Sequence, residues 1–571
     1  MLTPDYFYGK SDKLVEMYQE LEDWIIKDIA MRLMKSGELS GTADRELWKL
    51  QQMGLHNTEI VKRISQMTGK SQDEVRRLLQ DSVMTSFSDD AEVLEKLMDI
   101  QTPLQNNAAI MAMNAEMMKT FGELTNLTRT TMKQTQRDLL NMLNEVDYRV
   151  ASGMQSYSSA VCEVLDRYAQ SGVIIDYPTG AKRTLEAAVR CCIVTSMNQT
   201  AAQVTNQYIV QSGVEYVLVS AHMGARHSKQ FPEGLQSHDY WQGKVYKIVG
   251  SDDDTPNLLE ATGYTIDPVT GQGKVVNLLG LHGYNCRHSH KPWDKSLRNP
   301  YVDENGNPKI DVHESQKVYD LKQQQRALER AIRQTKRELL AKQAELNGIA
   351  ETDVRELLQP QYDKLAYKLR MQNKKYQQFC EANDLQTQAD RIKVAGFKKK
   401  QSATANGRAT VYSNAEYSEY KNNLGKNMVS KEEFSRIMND KSEKKLFKHY
   451  TDSVKNGDVS PLTDYDTYQK IATELREKCI GLKTSNGIEL KEISLHSIDR
   501  VIGSVEKRRS GVTVDGIVEA LTSPDAKIMD PIYNKTKTKV SQKFIYKTTE
   551  VSVNPIDHIL IQANPHHRER E

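Results

Sequence analysis

Long apolar runs are missing from this chain. None of its 571 residues belongs to a stretch apolar enough, for long enough, to cross a bilayer. The opening MLTPDYFYGKSDK lacks the apolar centre of a signal peptide. A disulfide framework is missing as well. The six cysteines (Cys162, Cys191, Cys192, Cys286, Cys380 and Cys479) show no framework spacing, and adjacent Cys191 and Cys192 point in different directions on a helix. Synthesis in a reducing cytoplasm is the expectation. An excess of one charge is also lacking. With 78 basic against 76 acidic residues the formal charge is +2, which excludes a global pull toward nucleic acid or membrane and leaves only local patches. No G-x-G-x-x-G or Walker pattern accompanies the glycines, so Gly224, Gly243, Gly280 and Gly283 are expected in turns.

What remains is polar and long. Apolar residues make up 38% and charged residues 27%, with a mean hydropathy of -0.64. That suits long exposed helices, and the length implies roughly three or four units. The expected fold is multidomain. A mainly α N-terminal body (1–213) precedes an irregular α+β insert rich in His and Cys (214–313). A long helical hairpin or weak coiled coil follows (314–396), then a linker (397–410), a helical spacer (411–484) and a small C-terminal α+β domain (485–571).

Local signals support this division. Leu14, Met17, Leu21, Trp24, Ile25 and Ile29 recur at helical spacing, with Gly37 at the expected stop. TEIVKRISQMTGKSQDEVRRLLQDSV reads as two short helices. Gly69 closes the first; Ser71 caps the second with Glu74 three residues on. Met111, Met113, Met117, Met118 and Met132 suggest an adaptable packing surface. A helix through Cys191 should end at Gly213, and Val214–Val219 is a β-rich run. Val318, Leu321, Leu328, Ile332, Leu339 and Leu346 follow a three-four repeat, interrupted by Gln325, Thr335 and Lys342. Its expected partner surrounds Leu365, Leu369, Tyr376 and Phe379. FKKKQSATANGRAT is small, basic and polar, as a linker would be.

The segment GLHGYNCRHSH carries the densest chemistry. Cys286, His288 and His290 alternate, so an extended chain puts them on one side. Zinc favours sulfur and nitrogen ligands in a tetrahedron. Cys286 and His288 would supply two, and His222 and His238 are the best remaining pair, with His227, His282 and His290 in reserve. Such a metal would staple a loop module short of apolar residues. The competing reading has these groups hydrogen-bonded to convoluted backbone, with Arg226 and Arg287 tying loops; no C-x-x-C pair decides the matter. A Cys286–His288 nucleophilic pair is disfavoured, because no third group orients it.

VEYVLVSAHMGARHS, YWQGKVYKI and GLHGYNCRHSHKPW, in that order, resemble phage minor capsid proteins of the head-morphogenesis type. YDLKQQQRALERAIRQTKRE looks like that family's Gln- and Arg-rich helix, and YPTGAKRTLEAAVR fits too. The resemblance covers about residues 1–397. It implies a structural virion protein at the capsid interior or portal, made in the host cytoplasm and acting in head assembly or DNA packaging and delivery. Portal and major capsid proteins and phage DNA would be its partners. Related head proteins often carry a more cysteine-rich version of this pattern, so the resemblance supports zinc while this chain departs toward histidine.

The C-terminal stretch suggests two short helices, the second capped by Thr513, then strands in SQKFIYKTT, EVSVN and HILIQAN. That order, led by LHSIDR, resembles barnase–EndoU–colicin-like RNase domains, which act on RNA without metal. The resemblance implies His496 as base or acid and Arg500, one turn on, holding the phosphate, with Lys543 joining from the sheet. Gln562 stands where such domains often carry a small hydroxyl residue. His558, His566 and His567 are candidates for the second proton transfer. The rival to an active RNase is an inactive binding domain. The rival to the whole structural reading is an RNase effector or toxin whose N-terminal region serves packaging and delivery.

Overall fold

The computed structural model describes residues 1–36, 42–177, 180–349, 352–534 and 540–566. The chain is mostly helical and divides into two compact units, Met1–Ala409 and Thr410–Glu571. Among the described residues no helix is long and apolar enough to cross a membrane.

The first unit begins with α1 (Asp12–Ser36), α2 (Thr42–Leu97), α3 (Asn107–Ala151) and α4 (Tyr157–Ser171). A hairpin of β1 (Ile174–Asp176) and β2 (Lys182–Thr184) leads into α5 (Leu185–Ser212). These helices share one core that includes Leu14, Ile25, Leu78, Leu143, Leu165 and Val189. Helix α5 is buried on most sides and carries apolar and small polar residues all round. The Thr184 hydroxyl caps it by accepting from Ala187 N–H, and Gly213 ends it at φ +69°, a conformation that glycine reaches without a Cβ penalty. The expected break at Gly69 does not occur. Helix α2 runs straight through it, and the Ser71 hydroxyl donates back to the Thr68 carbonyl instead of capping. Glu74 pairs with Lys13 and Arg77. Packing of α2 against α1, α3 and α5 outweighs a local stop signal. The methionines divide: Met113 and Met117 are buried, whereas Met111 and Met118 are exposed. Gly37 lies outside the described residues.

The insert contains little regular structure. Strands β3 (Tyr216–Val219), β4 (Val245–Lys247) and β7 (His290–Trp293) form a sheet with β3 central, both neighbours antiparallel to it. Between them lie the single turns of helix α6 (His238–Trp241) and α7 (Leu258–Thr262) and the β5 (Tyr264–Ile266)–β6 (Gly273–Val275) hairpin. Then α8 (Val312–Gly348) and α9 (Thr352–Ala382) fold into a hairpin around Ile332, Leu339, Leu358, Tyr362, Leu369 and Tyr376. Two of the three polar seam residues have partners, while the buried Thr335 hydroxyl has no hydrogen-bond partner. Gln325 donates to the Gln386 carbonyl, and fully buried Lys342 pairs with Asp166 and Glu345.

Residues 399 onward form α10 (Lys399–Leu424), so the stretch expected as an open linker is helical, and the unit boundary falls inside it. The second unit continues with α11 (Lys431–Asn439), α12 (Lys441–Lys455) and α13 (Tyr465–Cys479). It then adds β8 (Glu492–Ile493), α14 (Leu495–Ile502) and α15 (Val514–Thr522). Strands β9 (Lys527–Ile528), β10 (Ile532–Tyr533), β11 (Val540–Tyr546), β12 (Thr549–Asn554) and β13 (Ile559–Pro565) complete it. Strand order is β10-β11-β12-β13-β8, with β9 also on β11 and β8 parallel to β13. Helices of the region expected as a spacer share a core with this sheet: Phe447, Tyr468 and Leu475 pack with Ile498, Ile517, Phe544 and Val551.

Candidate metal centre

Three side chains of the insert converge. His238 opens α6, held by its N–H to the Arg226 carbonyl at 2.8 Å. Cys286 and His288 lie on the extended segment before β7. Asn198 of α5 fixes that segment by donating to the carbonyls of both residues at 3.0 Å. One ligand atom from each of His238, Cys286 and His288 lies within 4.8 Å of the other two, and all three residues are buried.

Hydrogen bonding decides which nitrogens are free. His238 Nε2–H donates to the Leu279 carbonyl at 2.8 Å, and His288 Nε2–H donates to Gln242 Oε1 at 3.1 Å. Gln242 Oε1 also accepts from the His222 backbone N–H, which fixes it as the oxygen. Both Nδ1 atoms are left as bare lone pairs, yet they face each other at 3.2 Å. Cys286 Sγ stands 3.8 Å from His288 Nδ1. A tetrahedral ion with metal–nitrogen bonds of about 2.0–2.1 Å and a metal–sulfur bond of about 2.3 Å requires separations of about 3.3 Å and about 3.6 Å. The Nδ1–Nδ1 and Sγ–Nδ1 separations of 3.2 and 3.8 Å are close to that requirement. A shared proton is the other way to reconcile two lone pairs. Burial opposes it, pushing His238 down to about 3 and His288 well below the ordinary imidazole range, with neighbouring cations and imidazoles adding to the effect. The Leu279 carbonyl and Gln242 are the outer partners that orient ligating imidazoles in metal sites.

His222, expected as the fourth ligand, is beside the group but not among its three converging ligand atoms. Its ring stacks on His288 with centroids 4.3 Å apart, and its Nε2 is buried without a hydrogen-bond partner. The reserve histidines have separate partners. His227 bonds Asp239 at 2.9 Å. His282 Nε2 meets His290 Nδ1 at 2.8 Å, and His290 Nε2–H donates to Asn206 Oδ1 at 2.8 Å, while His282 Nδ1 is buried without a hydrogen-bond partner. Arg226 ties loops by donating to the Leu279 and Tyr284 carbonyls. Gly280 and Gly283 make the tight loop that presents Leu279; a Cβ at either would sit 2.2–2.3 Å from a backbone oxygen.

In the second unit the candidate nucleolytic residues divide into two groups. His496 and Arg500 touch: Arg500 Nε and Nη2 reach His496 Nε2 at 3.2 and 3.1 Å. His496 Nδ1 lies 3.5 Å from Asp499, a buried carboxylate that sequence reasoning passed over. Asp499 also accepts from His449 at 3.0 Å, Ser453 at 3.0 Å and Tyr468 at 2.8 Å. Lys543 and Gln562 flank Ser552 across β11, β12 and β13, so they share one face of the sheet. The opposite face carries Phe544, Val551 and Ala563 into the core with Ile498 of α14. Lys543 pairs with Glu550 at 2.9 Å. No hydrogen bond or ion pair joins Lys543 or Gln562 to His496 among the described residues. His558 Nδ1 meets the Glu489 carbonyl, the His566 N–H donates to Thr548, and His567 lies outside the described residues.

A long helical body with a His- and Cys-bearing insert is the layout expected of a phage head protein. Residues 2–381 match the family model for phage minor capsid protein 2, and the chain belongs to that family. A structural role in the virion follows. No curated protein and no solved structure matches the chain.

Proposed function

We propose that this minor capsid protein works at the capsid interior near the portal, in head assembly or in packaging and delivery of DNA. We further propose that zinc, held by His238, Cys286 and His288, staples its insert. The observation that carries this reading is the family match, which takes in the helical body, the insert and the α8–α9 hairpin. Portal and major capsid proteins are the partners such a position requires. Quantitative mass spectrometry of purified virions should find the chain at low copy number, and of heads lacking portal should find it depleted. Its absence from particles, or equal amounts in portal-free heads, would sink the placement.

A second reading is favoured by one observation, the buried Asp499 behind His496 with Arg500 alongside. In it the C-terminal unit cleaves RNA, His496 moving the proton and Arg500 holding the phosphate. The tethered enzyme would then act as an effector delivered by the particle. The full chain should degrade single-stranded RNA in EDTA, and His496→Ala should remove at least about a hundredfold of that rate. Intact RNA after exposure to the unaltered chain rejects this reading.

A further inference from the structure

The metal centre borders a cavity of about 460 Å³ that the proposed role does not use. Its walls come from α5, α8, the loops holding the metal ligands, and the turn around Arg391. Eight of its lining residues are Arg or Lys and two are Glu. Those two carboxylates are already engaged. Arg333 pairs with Glu186 at 2.7 Å, and Arg326 with Glu329 at 2.7 Å. Arg190 pairs with Asp12 at 2.7 Å, outside the lining, and its Nη2 lies 3.5 Å from Glu186, which Arg333 also holds. Among the described residues Arg287 and Arg391 have no carboxylate within ion-pair distance; Arg287 lies over the Tyr8 ring at 5.0 Å. Lys322 donates to the Met223 carbonyl, and no carboxylate among the described residues lies within ion-pair distance of it.

Unpaired guanidinium groups crowded into a partly buried space destabilise the fold unless something neutralises them. Burial first, then Arg326 and Arg190, brings Arg391 down to about 9. Helix α8 creates this arrangement by design of spacing: Lys322, Arg326, Arg330 and Arg333 fall on one face, four, four and three residues apart. Seven of the eight cations are arginine, whose planar fork grips two oxygens of one phosphate. The volume is that of a small-ligand pocket. It suits a nucleotide-sized group rather than a duplex.

We infer that this cavity is a binding site for a compact polyphosphate, an inorganic or nucleoside triphosphate, held chiefly by Arg287, Arg326 and Arg391. The bound anion offsets the excess positive charge and fastens α8 to α5 and the insert.

Calorimetry on the full chain, in EDTA so that stripping of a metal is not read as binding, tests this with inorganic tripolyphosphate, ATP and a short single-stranded DNA. Tripolyphosphate or ATP should bind one per chain, and Arg287→Gln with Arg391→Gln should weaken it by about tenfold or more. ATP binding more tightly than tripolyphosphate makes the source a nucleotide; equal affinity makes it the phosphate chain alone. Arg298→Gln, at an exposed position, should leave binding unchanged. The double variant should also melt higher than the unaltered chain without ligand, a gain that a merely structural pair of arginines would not produce. If the variant fails to fold, phenylglyoxal labelling of the unaltered chain decides, since tripolyphosphate should shield Arg287, Arg326 and Arg391. No saturable binding, no shielding, or tighter binding of DNA through the same arginines overturns the proposal.

Discussion

Elemental analysis of the purified chain should find about one zinc per molecule, and Cys286→Ser combined with His288→Ala should find none. His222→Ala should keep the metal, because His222 stacks against His288 and its nitrogens lie outside the converging group. Zinc held by the folded insert and not by the unfolded chain would also stabilise the fold. At a free concentration a thousandfold above the dissociation constant the gain is about 4 kcal/mol, read as a rise of the first unit's melting temperature. The double variant should lose that rise. It should still fold, because the insert has its own apolar cluster of Val217, Trp241, Tyr246, Leu258, Tyr264 and Leu281. Metal retained by the double variant would remove these ligands from consideration. A melting temperature indifferent to zinc would reduce the site to a hydrogen-bonded His pair.

Part of this site was legible in the sequence. The alternation of Cys286 and His288 placed both on one side of an extended segment, and the structure joins them with His238. The bonds that select the tautomers were not legible. Asn198, Gln242 and the Leu279 carbonyl come from three separate segments, and only tertiary folding brings them to the ligands. The stacking of His222 on His288, outside the three converging ligand atoms, was not legible either, since sequence shows a histidine but not the face its ring presents. Helix ends were read well where propensity and packing agree, as at Gly213 and Thr513. They were read badly at Gly69 and Ser71, where a 56-residue helix continues across both. The small and polar composition of 397–410 indicated a linker, yet Ala405 and Ala409 pack into the core of the α8–α9 hairpin. The basic face of α8 was present in the sequence as a spacing of four and three. Its meaning needed α5 and Arg391 opposite it.

Asp499→Ala should destabilise the C-terminal unit by about 3–5 kcal/mol, the range for removing one member of a buried charged network. The carboxylate is 1% exposed and serves four partners on three helices: His449 and Ser453 of α12, Tyr468 of α13, and His496 of its own α14. Deleting it removes the acceptor of the buried Ser453 and Tyr468 hydroxyls, and a buried donor left unsatisfied costs about 1–3 kcal/mol. Acid should reveal the same network in the unaltered protein. Burial pushes the Asp499 carboxyl up, but hydrogen bonds from His449, His496 and Tyr468 outweigh it and hold the group at about 2. Its folded value thus lies below the unfolded value of about 3.9, so the folded state binds fewer protons between the two. The stability from this group is fully present above about pH 4 and is lost as the pH falls toward 2, by about 2.5 kcal/mol. Asp499→Asn keeps the shape and one acceptor, and should flatten that limb of the pH–stability curve while costing less than alanine at pH 7. Urea unfolding of the full chain, followed by Tyr signals of the second unit across pH 2 to 7, measures both effects. If Asp499→Ala unfolds within 1 kcal/mol of the unaltered chain, Asp499 is not the hub of this unit. His496 would then lack the fixed carboxylate that the nucleolytic reading places behind it.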